Sequence, residues 1–502
     1  QARTRDTRLL ELPGEAVAWL RDILAPTLES FRRRRAIGRA PDLLSFVILQ
    51  LGFTPSLECA IDFATDAIDG RLSRSLAAHR AAAVSGTRAI DGFASDWASL
   101  DPSLRRAGTL LSVAMDLPAD RREETLADAL DAVLEGARER VVEFSSSIRG
   151  PAMGIYAFGV MLPLALVGLL PVLASSGGGV AVLPLAVVYD LLIPVGLIGA
   201  GVWLWARRPA ITDRSFESGV LSYTPSPWIS LIAALGSSVL VWFVAGLLVP
   251  NWARPIAALG TGVGVGVVQW LRPALEAQTR LETLEARLPD ALLIVGQRLA
   301  DGDPIEATIP AVARRFDGPI ADLFDRAARR RERSGEPVET AFLGQHGLLE
   351  AVPSRRVRAS MQLLVTAGEH GPMGGRTLQS VGQYLDSLLG VEREARRQLA
   401  QTTSTLRQTA IVFAPAIAGV TVALATGMDS VEGTQRSLDV GQLGTVVGVY
   451  VLLLACILPA LSVVLERGFD PVRMGVQSGL ALAVGSLVYP LAFLAARTLV
   501  YV

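Results

Sequence analysis

The chain contains 502 residues, 51% of them hydrophobic and 19% charged, and its formal net charge is -1. This balance gives no reason to expect a nucleic acid as a partner, because a surface that binds one needs an excess of basic residues. All 47 basic residues are arginine, which excludes chemistry that depends on lysine, such as a Walker A phosphate loop or a Schiff base.

The cysteines and histidines are too few and too scattered to suggest a site. Cys59 lies in an amphipathic segment and Cys456 in an apolar one, so this pair predicts neither a disulfide nor a zinc site. The three histidines show no ligand spacing, and no serine, histidine and aspartate pattern is evident. We therefore expect no metal, no cofactor and no enzymatic activity.

The chain begins with a polar, arginine-rich block, residues 1–150. This block follows, more loosely, the same plan as a second polar block at residues 273–408, which predicts a bundle of about six helices in each. The last helix of the first block, RREETLADALDAVLEGARERVVEF, leads directly into an apolar run.

Seven apolar runs are long enough to cross about 30 Å of hydrocarbon, and they lie at 152–174, 182–206, 228–249, 254–272, 409–428, 441–465 and 475–499. They leave a second polar block, and the predicted domains are 1–150, 151–272, 273–408 and 409–502. The predicted fold is an all-α membrane protein with two helical bundles of about six helices each and about seven transmembrane helices.

Arginines in the short loops predict which side of the membrane the blocks face. Arg207, Arg208 and Arg214 lie between the second and third runs, and Arg467 and Arg473 lie between the last two. The opposite loops are poorer in arginine, so the positive-inside rule places both blocks in the cytoplasm and the C-terminus outside. We expect a multi-pass protein of the plasma membrane.

The second block, residues 273–408, shows clear helix boundaries. Pro289 suits a first helical position, Gly302 should end that helix, and Asp303 with Glu306 predicts a capping box for the next one. Further breaks occur at Gly318 and Gly335. The last helix has no strong break before the apolar run that follows, so it is expected to enter the membrane directly.

The two polar blocks share a pattern, which predicts a tandem repeat in parallel order. Pro41-Asp42 corresponds to Pro289-Asp290, Leu57-Glu58 to Ile305-Glu306, and Ile61 to Ile309, all at one constant separation.

This pattern resembles the type II secretion system F domain, found in the inner-membrane platform proteins of type II secretion, type IV pili, Tad pili and archaella. The resemblance rests on Leu288-Pro289-Asp290 and on AGEHGPMGGRTLQSVGQYL at 367–385, where Gly368, Glu369 and Gly371 match the Gly-Glu-x-Gly motif of the family. The first copy is degenerate, since SVAMDLPADRREETL replaces this motif. Seven spans are more similar to the archaeal and Tad-type members.

The resemblance implies a non-enzymatic platform. Such a protein contacts a cytoplasmic hexameric ATPase and couples its motion to the insertion of pilin subunits into a filament, and by family analogy it forms a homodimer. Whether the filament is an adhesive pilus, an archaellum or a Tad-type pilus stays open.

Three arginine clusters are candidates for the ATPase contact, where paired charges would fix the register. The alternatives are a solvated helix face or attraction to anionic lipid. The clusters are Arg329, Arg330, Arg331 and Arg333; Arg355, Arg356 and Arg358; and Arg393, Arg396 and Arg397.

Two acidic residues are further candidates. Glu369 either changes its contacts with the state of the ATPase or caps the helix that follows. Asp190, the one carboxylate inside an apolar run, either pairs with a pilin or basic group during transfer or lies one turn from the outer interface.

Other functions remain as alternatives. A secondary transporter or permease is also built from repeated halves, but the repeated unit here is mostly polar. A membrane-anchored signalling or scaffold protein is a second alternative. Glycines at 260, 262, 264 and 266 predict close helix packing, either within one chain or between two.

Overall fold

The computed structural model describes residue 33 and residues 36–175, 182–208, 227–429 and 440–500. The start of the first block, the loop that contains Arg214 and the last two residues lie outside the described residues. The described residues are almost entirely helical and contain no strand, so the predicted all-α class is confirmed for them.

The described chain forms two compact units. The first contains residues 36–48 and 56–136, and the second contains 49–55, 137–175, 182–208, 227–429 and 440–500. In chain order, the helices before the first apolar run are α1 (Ala40–Phe53), α2 (Leu57–Ala67), α3 (Arg71–Ala82), α4 (Gly86–Trp97), α5 (Pro102–Asp116) and α6 (Ala119–Tyr156).

The helix starts of the first unit follow from local chemistry. Ser56 caps α2 by accepting from the Cys59 amide, and Asp101 caps α5 by accepting from the Ser103 amide, just before Pro102. The helices pack through fully buried apolar side chains, which include Ile61, Leu76, Ile90, Phe93 and Leu104.

The membrane-type helices follow. They are α7 (Leu162–Ser175), α8 (Val182–Ala186), α9 (Ile193–Arg207) and α10 (Pro227–Leu248), with π-helices at Ala157–Met161 and Val187–Leu192. Next is α11 (Ala253–Ala300), a single helix of 48 residues. At 1.5 Å per residue it is about 72 Å long, roughly twice the hydrocarbon thickness of a bilayer.

The continuity of α11 corrects the predicted helix start at Pro289. Pro273 and Pro289 both lie inside α11, although an internal proline costs about 3 kcal/mol. Leu288, Ala291 and Leu292 are fully buried around Pro289, and this packing outweighs the loss of one backbone hydrogen bond.

The second polar series continues from α11. It contains α12 (Ile305–Arg315), α13 (Pro319–Ser334), α14 (Val338–Leu343), α15 (Arg355–Glu369) and α16 (Gly371–Gln408). Gly302, Gly318 and Gly335 have positive φ at the predicted breaks, which confirms those boundaries. The capping box is wrong, because Pro304 is the N-cap of α12 and makes no side-chain cap bond.

The predicted continuation of the last polar helix into the following apolar run is also observed. A π-helix at Thr409–Phe413 joins α16 to α17 (Ala414–Asp429) without a loop, and α18 (Val440–Arg467) and α19 (Pro471–Val500) complete the described chain.

Helix lengths recur between the two polar series. Helices α2 and α12 both contain 11 residues, and α6 and α16 both contain 38. A π-helix of five residues follows each long helix. This recurrence agrees with the repeated sequence pattern and extends it into the first apolar segment of each copy.

Six of the described helices are long and apolar enough to cross a membrane, rather than the predicted seven, and they are Arg121–Leu169, Leu183–Arg207, Pro227–Leu248, Gly371–Thr426, Gly441–Arg467 and Pro471–Leu499. The predicted run at 254–272 is not among them, because Arg254 and Arg272 at its ends, Gln269 and four glycines lower its mean hydropathy. In α18, 67% of the residues in the most apolar 18-residue stretch are buried, the largest share among the six, and in α10 the share is 6%, the smallest. Helix α18 therefore lies at the centre of the apolar segments and α10 at their edge.

Glycines in the first third of α11 allow neighbouring helices to approach its backbone closely, because no side chain stands between them. Gly260 and Gly264 face α19, and a Cβ on Gly264 would collide with the Gly479 carbonyl. Gly262 and Gly266 face α10, where small side chains receive them. The predicted glycine faces therefore pack within one chain, on opposite sides of one helix.

We predict that Gly264→Ala destabilises the protein by about 1–3 kcal/mol, since the added methyl group meets backbone atoms that cannot move aside. Gly236→Ala on α10 is the matched control, because no atom of the described residues lies within 4 Å of the added Cβ. The control gains the better helix propensity of alanine, about 1 kcal/mol. The midpoint of thermal unfolding in detergent is measured for the parent and for both variants. A midpoint of Gly264→Ala equal to that of the parent would contradict this packing.

Glu58 joins two helices of the first unit. Its Oε1 accepts a hydrogen bond of 2.6 Å from the amide of Gly86, the first residue of α4. Hydrogen bonds from its own amide and from that of Gly86 hold the pKa of Glu58 below its ordinary value of 4.5. The ionised form is therefore favoured in the folded protein.

We predict a pH-dependent cost for Glu58→Gln. The contribution of the ionised carboxylate is complete above pH 4.5 and is lost as the pH falls through the lowered folded pKa. The parent should therefore unfold at a higher temperature than the variant at neutral pH, and the difference should shrink in acid. Glu123→Gln, an exposed change in α6, is the control; a difference that does not vary with pH would rule out this role.

Candidate functional site

The Gly-Glu-x-Gly motif forms the turn between α15 and α16. Helix α15 ends at Glu369, and Gly371 takes a left-handed φ of +58 that suits glycine. The nearby glycines allow backbones to touch: Gly374 contacts the Ala367 carbonyl, and Gly375 contacts the backbone of α11. The motif therefore packs three helices together at one tight turn.

Glu369 does not cap α16. The N-cap of that helix is His370, with no side-chain cap hydrogen bond, so the capping interpretation is wrong. The Glu369 side chain is exposed, and its carboxylate has no hydrogen-bond partner or ion pair among the described residues. Met373, one turn onward, is 78% exposed. The turn thus presents an unpaired acid beside an exposed apolar side chain.

In the first arginine cluster, on α13, some arginines bind other parts of the same helical series and others lie on the surface. Arg330 pairs with Glu336 at 2.9 Å, and Arg331 donates to the Glu306 carbonyl at 3.1 Å. Arg329 pairs with Asp325 at 2.7 Å on the surface, and the hydrogen bond and charge of Asp325 raise the pKa of Arg329.

Arg333 completes the first cluster. Its side chain is exposed and makes no hydrogen bond or ion pair with another described residue. Of the four arginines of this cluster, Arg333 is therefore the most accessible to a partner.

The second and third clusters meet at Glu392, which is 3% exposed. Arg356 contacts its Oε1 at 3.1 Å and Arg396 its Oε2 at 3.6 Å, and both arginine side chains are mostly buried. The sequence placed these two arginines among candidate contact residues, whereas the structure uses them to neutralise a buried carboxylate in α16.

The remaining arginines of these clusters lie nearer the surface. Arg358 donates to the Leu349 carbonyl at 3.2 Å, and Arg393 lies 3.7 Å from Asp386. Arg355 is exposed. Arg397 is exposed as well and has no partner among the described residues.

Asp190 lies within the membrane-type helix Leu183–Arg207, about two turns from its start. It belongs to the π-helix that precedes Pro194. Its Oδ1 is buried, and it has no hydrogen-bond partner among the described residues. An unpaired carboxylate oxygen at such a position is typical of a group that meets a partner.

Two tyrosines, one in this π-helix and one packed against it, were not singled out from the sequence. Tyr189 donates to the Pro163 carbonyl at 2.7 Å, and Tyr450 of α18 donates to the Gly159 carbonyl. Their rings meet edge to face, with centroids 5.4 Å apart. Gly159 lies four residues before Pro163, and proline has no amide hydrogen to offer that carbonyl. In the sequence, the prolines inside apolar runs were the signal that some backbone carbonyls would need another hydrogen-bond donor, such as a tyrosine hydroxyl.

Metal-binding side chains do not gather in the part of the chain that the structure describes: no three His, Cys, Asp or Glu residues come close enough to hold an ion. The described turn, clusters and π-helices offer contact surfaces and packing sites.

We predict that Glu392→Ala destabilises the protein by about 3 kcal/mol or more, because it removes the buried carboxylate that two mostly buried arginines share. Arg393→Ala, at the next position, removes a half-exposed side chain and should cost less than about 1 kcal/mol. Thermal unfolding in detergent compares the two. A Glu392→Ala variant as stable as the parent would show that this cluster does not hold α15 and α16 together.

Comparison with known proteins returned no match: no family model, no curated protein and no solved structure is similar to this chain.

Proposed function

We propose that this protein is a multi-pass platform of a type IV pilus-like assembly or secretion machine. In this proposal residues 1–150 and 273–408 form two cytoplasmic helical bundles, and residues 151–272 and 409–502 lie in the plasma membrane, with the C-terminus outside. The bundles bind a hexameric ATPase, and the membrane helices pass pilin subunits to a filament. The protein acts without catalytic chemistry of its own, and it works as a homodimer.

The observation that carries the proposal is the continuity between polar and apolar helices. Helix α11 runs for 48 residues from its glycine faces into the second polar series, and α16 continues through a π-helix into α17 without a loop. A helix resists bending far more than a loop does. A displacement of the polar helices by a partner would therefore move the apolar helices, which is the coupling that a platform needs.

The proposed topology requires a crossing by residues 254–272. Helices α10 and α19 pack on opposite faces of this segment, so protein rather than lipid covers much of it. A helix in that position can cross a membrane with lower hydropathy than one exposed to lipid.

The turn at Glu369 and the outer face of α13 are the proposed ATPase contacts. Glu369 and Arg333 are exposed without partners among the described residues, and Met373 adds apolar area. Opposite charges on separate elements would fix the orientation of a charged partner. Asp190 is the proposed intramembrane contact with a pilin helix.

A secondary transporter is the second candidate, and the observation that favours it is the buried Oδ1 of Asp190, which lies in a π-helix and has no hydrogen-bond partner among the described residues. If the protein is a transporter, vesicles reconstituted with the parent should take up a substrate, and vesicles with Asp190→Asn should not. The platform proposal predicts no such uptake.

Deletion of the gene tests the proposed function. Cells that lack the protein should lose their surface filaments under electron microscopy, and the chain expressed in trans should restore them. Deletion cells with a normal number of filaments would overturn the proposal. The neighbouring secretion ATPase should also co-purify with the protein from detergent, whereas no association after crosslinking would count against it.

We predict that Arg333→Glu and Glu369→Arg each lower recovery of the ATPase about tenfold or more and reduce filament number, because each reverses an accessible charge. The amount of protein in the membrane should stay unchanged. Arg105→Glu, an exposed charge reversal outside the proposed contacts at the Glu369 turn and α13, is the matched control and should bind normally. Recovery equal to that of the control would remove these two residues from the contact.

A further inference from the structure

Glu282, in the polar half of α11, binds the two arginines that flank the turn between α18 and α19. Arg467 approaches both of its carboxylate oxygens, at 3.1 and 3.3 Å, and Arg473 approaches Oε1 at 2.9 Å. The three side chains are only 26%, 24% and 14% exposed, in that order. One carboxylate of α11 therefore connects to the end of α18 and the start of α19.

Asp470 adds a second connection at the same turn. Its Oδ1 accepts from the Arg473 amide at 3.1 Å, which caps α19, and from Gln278 of α11 at 3.3 Å. Gly468, with φ +90, closes the turn. Both connections join the turn to the same stretch of α11, one helical turn apart.

A third helix end reaches the same region. Arg208, at the end of α9 and 7% exposed, donates to the Glu466 carbonyl at 3.2 Å. The turn is therefore held from two helices at once.

These contacts differ from the ordinary surface pairs of α11. Arg272 and Glu276, in the same helix, form an exposed pair at 3.1 Å whose side chains are 67% and 56% accessible. Water and salt screen that pair, and it contributes little.

The Glu282 contacts are shielded and shared between separate helices, so the loss of Glu282 removes the carboxylate that links both arginines to α11. Arg473 keeps its pair with Asp470 at 3.4 Å. Arg467 keeps its longer pair with Glu466 at 4.0 Å, and both of these acids belong to the turn itself.

We propose that Glu282, Arg467 and Arg473 form a latch that ties the polar half of α11 to the α18–α19 turn. Through this latch a displacement of the polar helices moves α18, the most buried of the membrane-type helices, and α19 with it. What the latch transmits rests on the proposed function. The connection itself does not, and it can be measured in the purified protein.

Hydrogen exchange of the full-length protein in lipid nanodiscs tests the latch. The probe is the peptide that covers residues 466–474, compared in the parent, Glu282→Gln and Glu276→Gln. We expect exchange of this peptide to rise about tenfold in Glu282→Gln, the change that ~1.4 kcal/mol produces. Glu276→Gln is the matched control, because it makes the same change in the exposed pair of the same helix, and it should leave exchange unaltered.

A double-substitution cycle separates the latch from a general loss of stability. Once Glu282→Gln is present, Arg467→Gln should raise exchange little further, since both remove the contact between Glu282 and Arg467. Fully additive effects, or a peptide 466–474 that exchanges as in the parent, would overturn the latch. If Glu282→Gln prevented folding, Arg467→Gln alone would serve, with an expected rise in exchange of the same peptide and the same overturning result.

Filament assembly distinguishes the latch from the function on which it rests. In cells, Glu282→Gln should reach the membrane and retain the ATPase but assemble few filaments. Faster exchange with normal filaments would overturn the transmitting role of the latch, while the deletion phenotype would still support the platform. Normal filaments in the deletion strain would instead overturn the proposed function and leave the exchange result standing.

Discussion

The constraint on which the rest of the structure depends is the close approach of α11 to the helices on its two sides. Gly260 and Gly264 admit α19, and Gly262 and Gly266 admit α10, because no side chain separates the backbones. The same helix then extends for 48 residues into the polar series, where Gly296 and Gly375 again allow contact, now with α16. One helix therefore organises both the apolar and the polar parts of the second unit.

The regular α-helical hydrogen-bond pattern is interrupted at three π-helices, and each interruption has the same chemical cause. Every described π-helix is followed closely by a proline, at Pro163, Pro194 and Pro415. Proline offers no amide hydrogen, so a carbonyl one turn earlier loses its usual donor. At Gly159 the hydroxyl of Tyr450 replaces that donor. An unpaired backbone group in lipid would cost several kcal/mol, and the tyrosine removes this cost while leaving the helix locally wider.

Charge in this protein serves two purposes that look alike in the sequence. Arg356 and Arg396 neutralise Glu392 inside the polar series, and Arg467 and Arg473 bind Glu282 beside the membrane-type helices. Arg333 remains exposed. The arginines paired with mostly buried carboxylates hold helices in place, whereas an exposed arginine such as Arg333 is available to a partner. If the proposed platform function is right, docking residues and the latch lie on one connected set of helices.

The sequence by itself determined the helical class, six helices apolar enough to cross a membrane and the helix breaks at Gly302, Gly318 and Gly335, because hydrophobic periodicity and glycine breaks are local properties. It also indicated the repeat, which the equal lengths of α6 and α16 support. Only the tertiary structure decided that α11 continues through Pro289, that Glu369 leaves α16 uncapped, and which arginines are internal. Those outcomes depend on burial and on partners distant in the chain, such as Glu282 for Arg467, and local pattern carries no information about which distant residues meet.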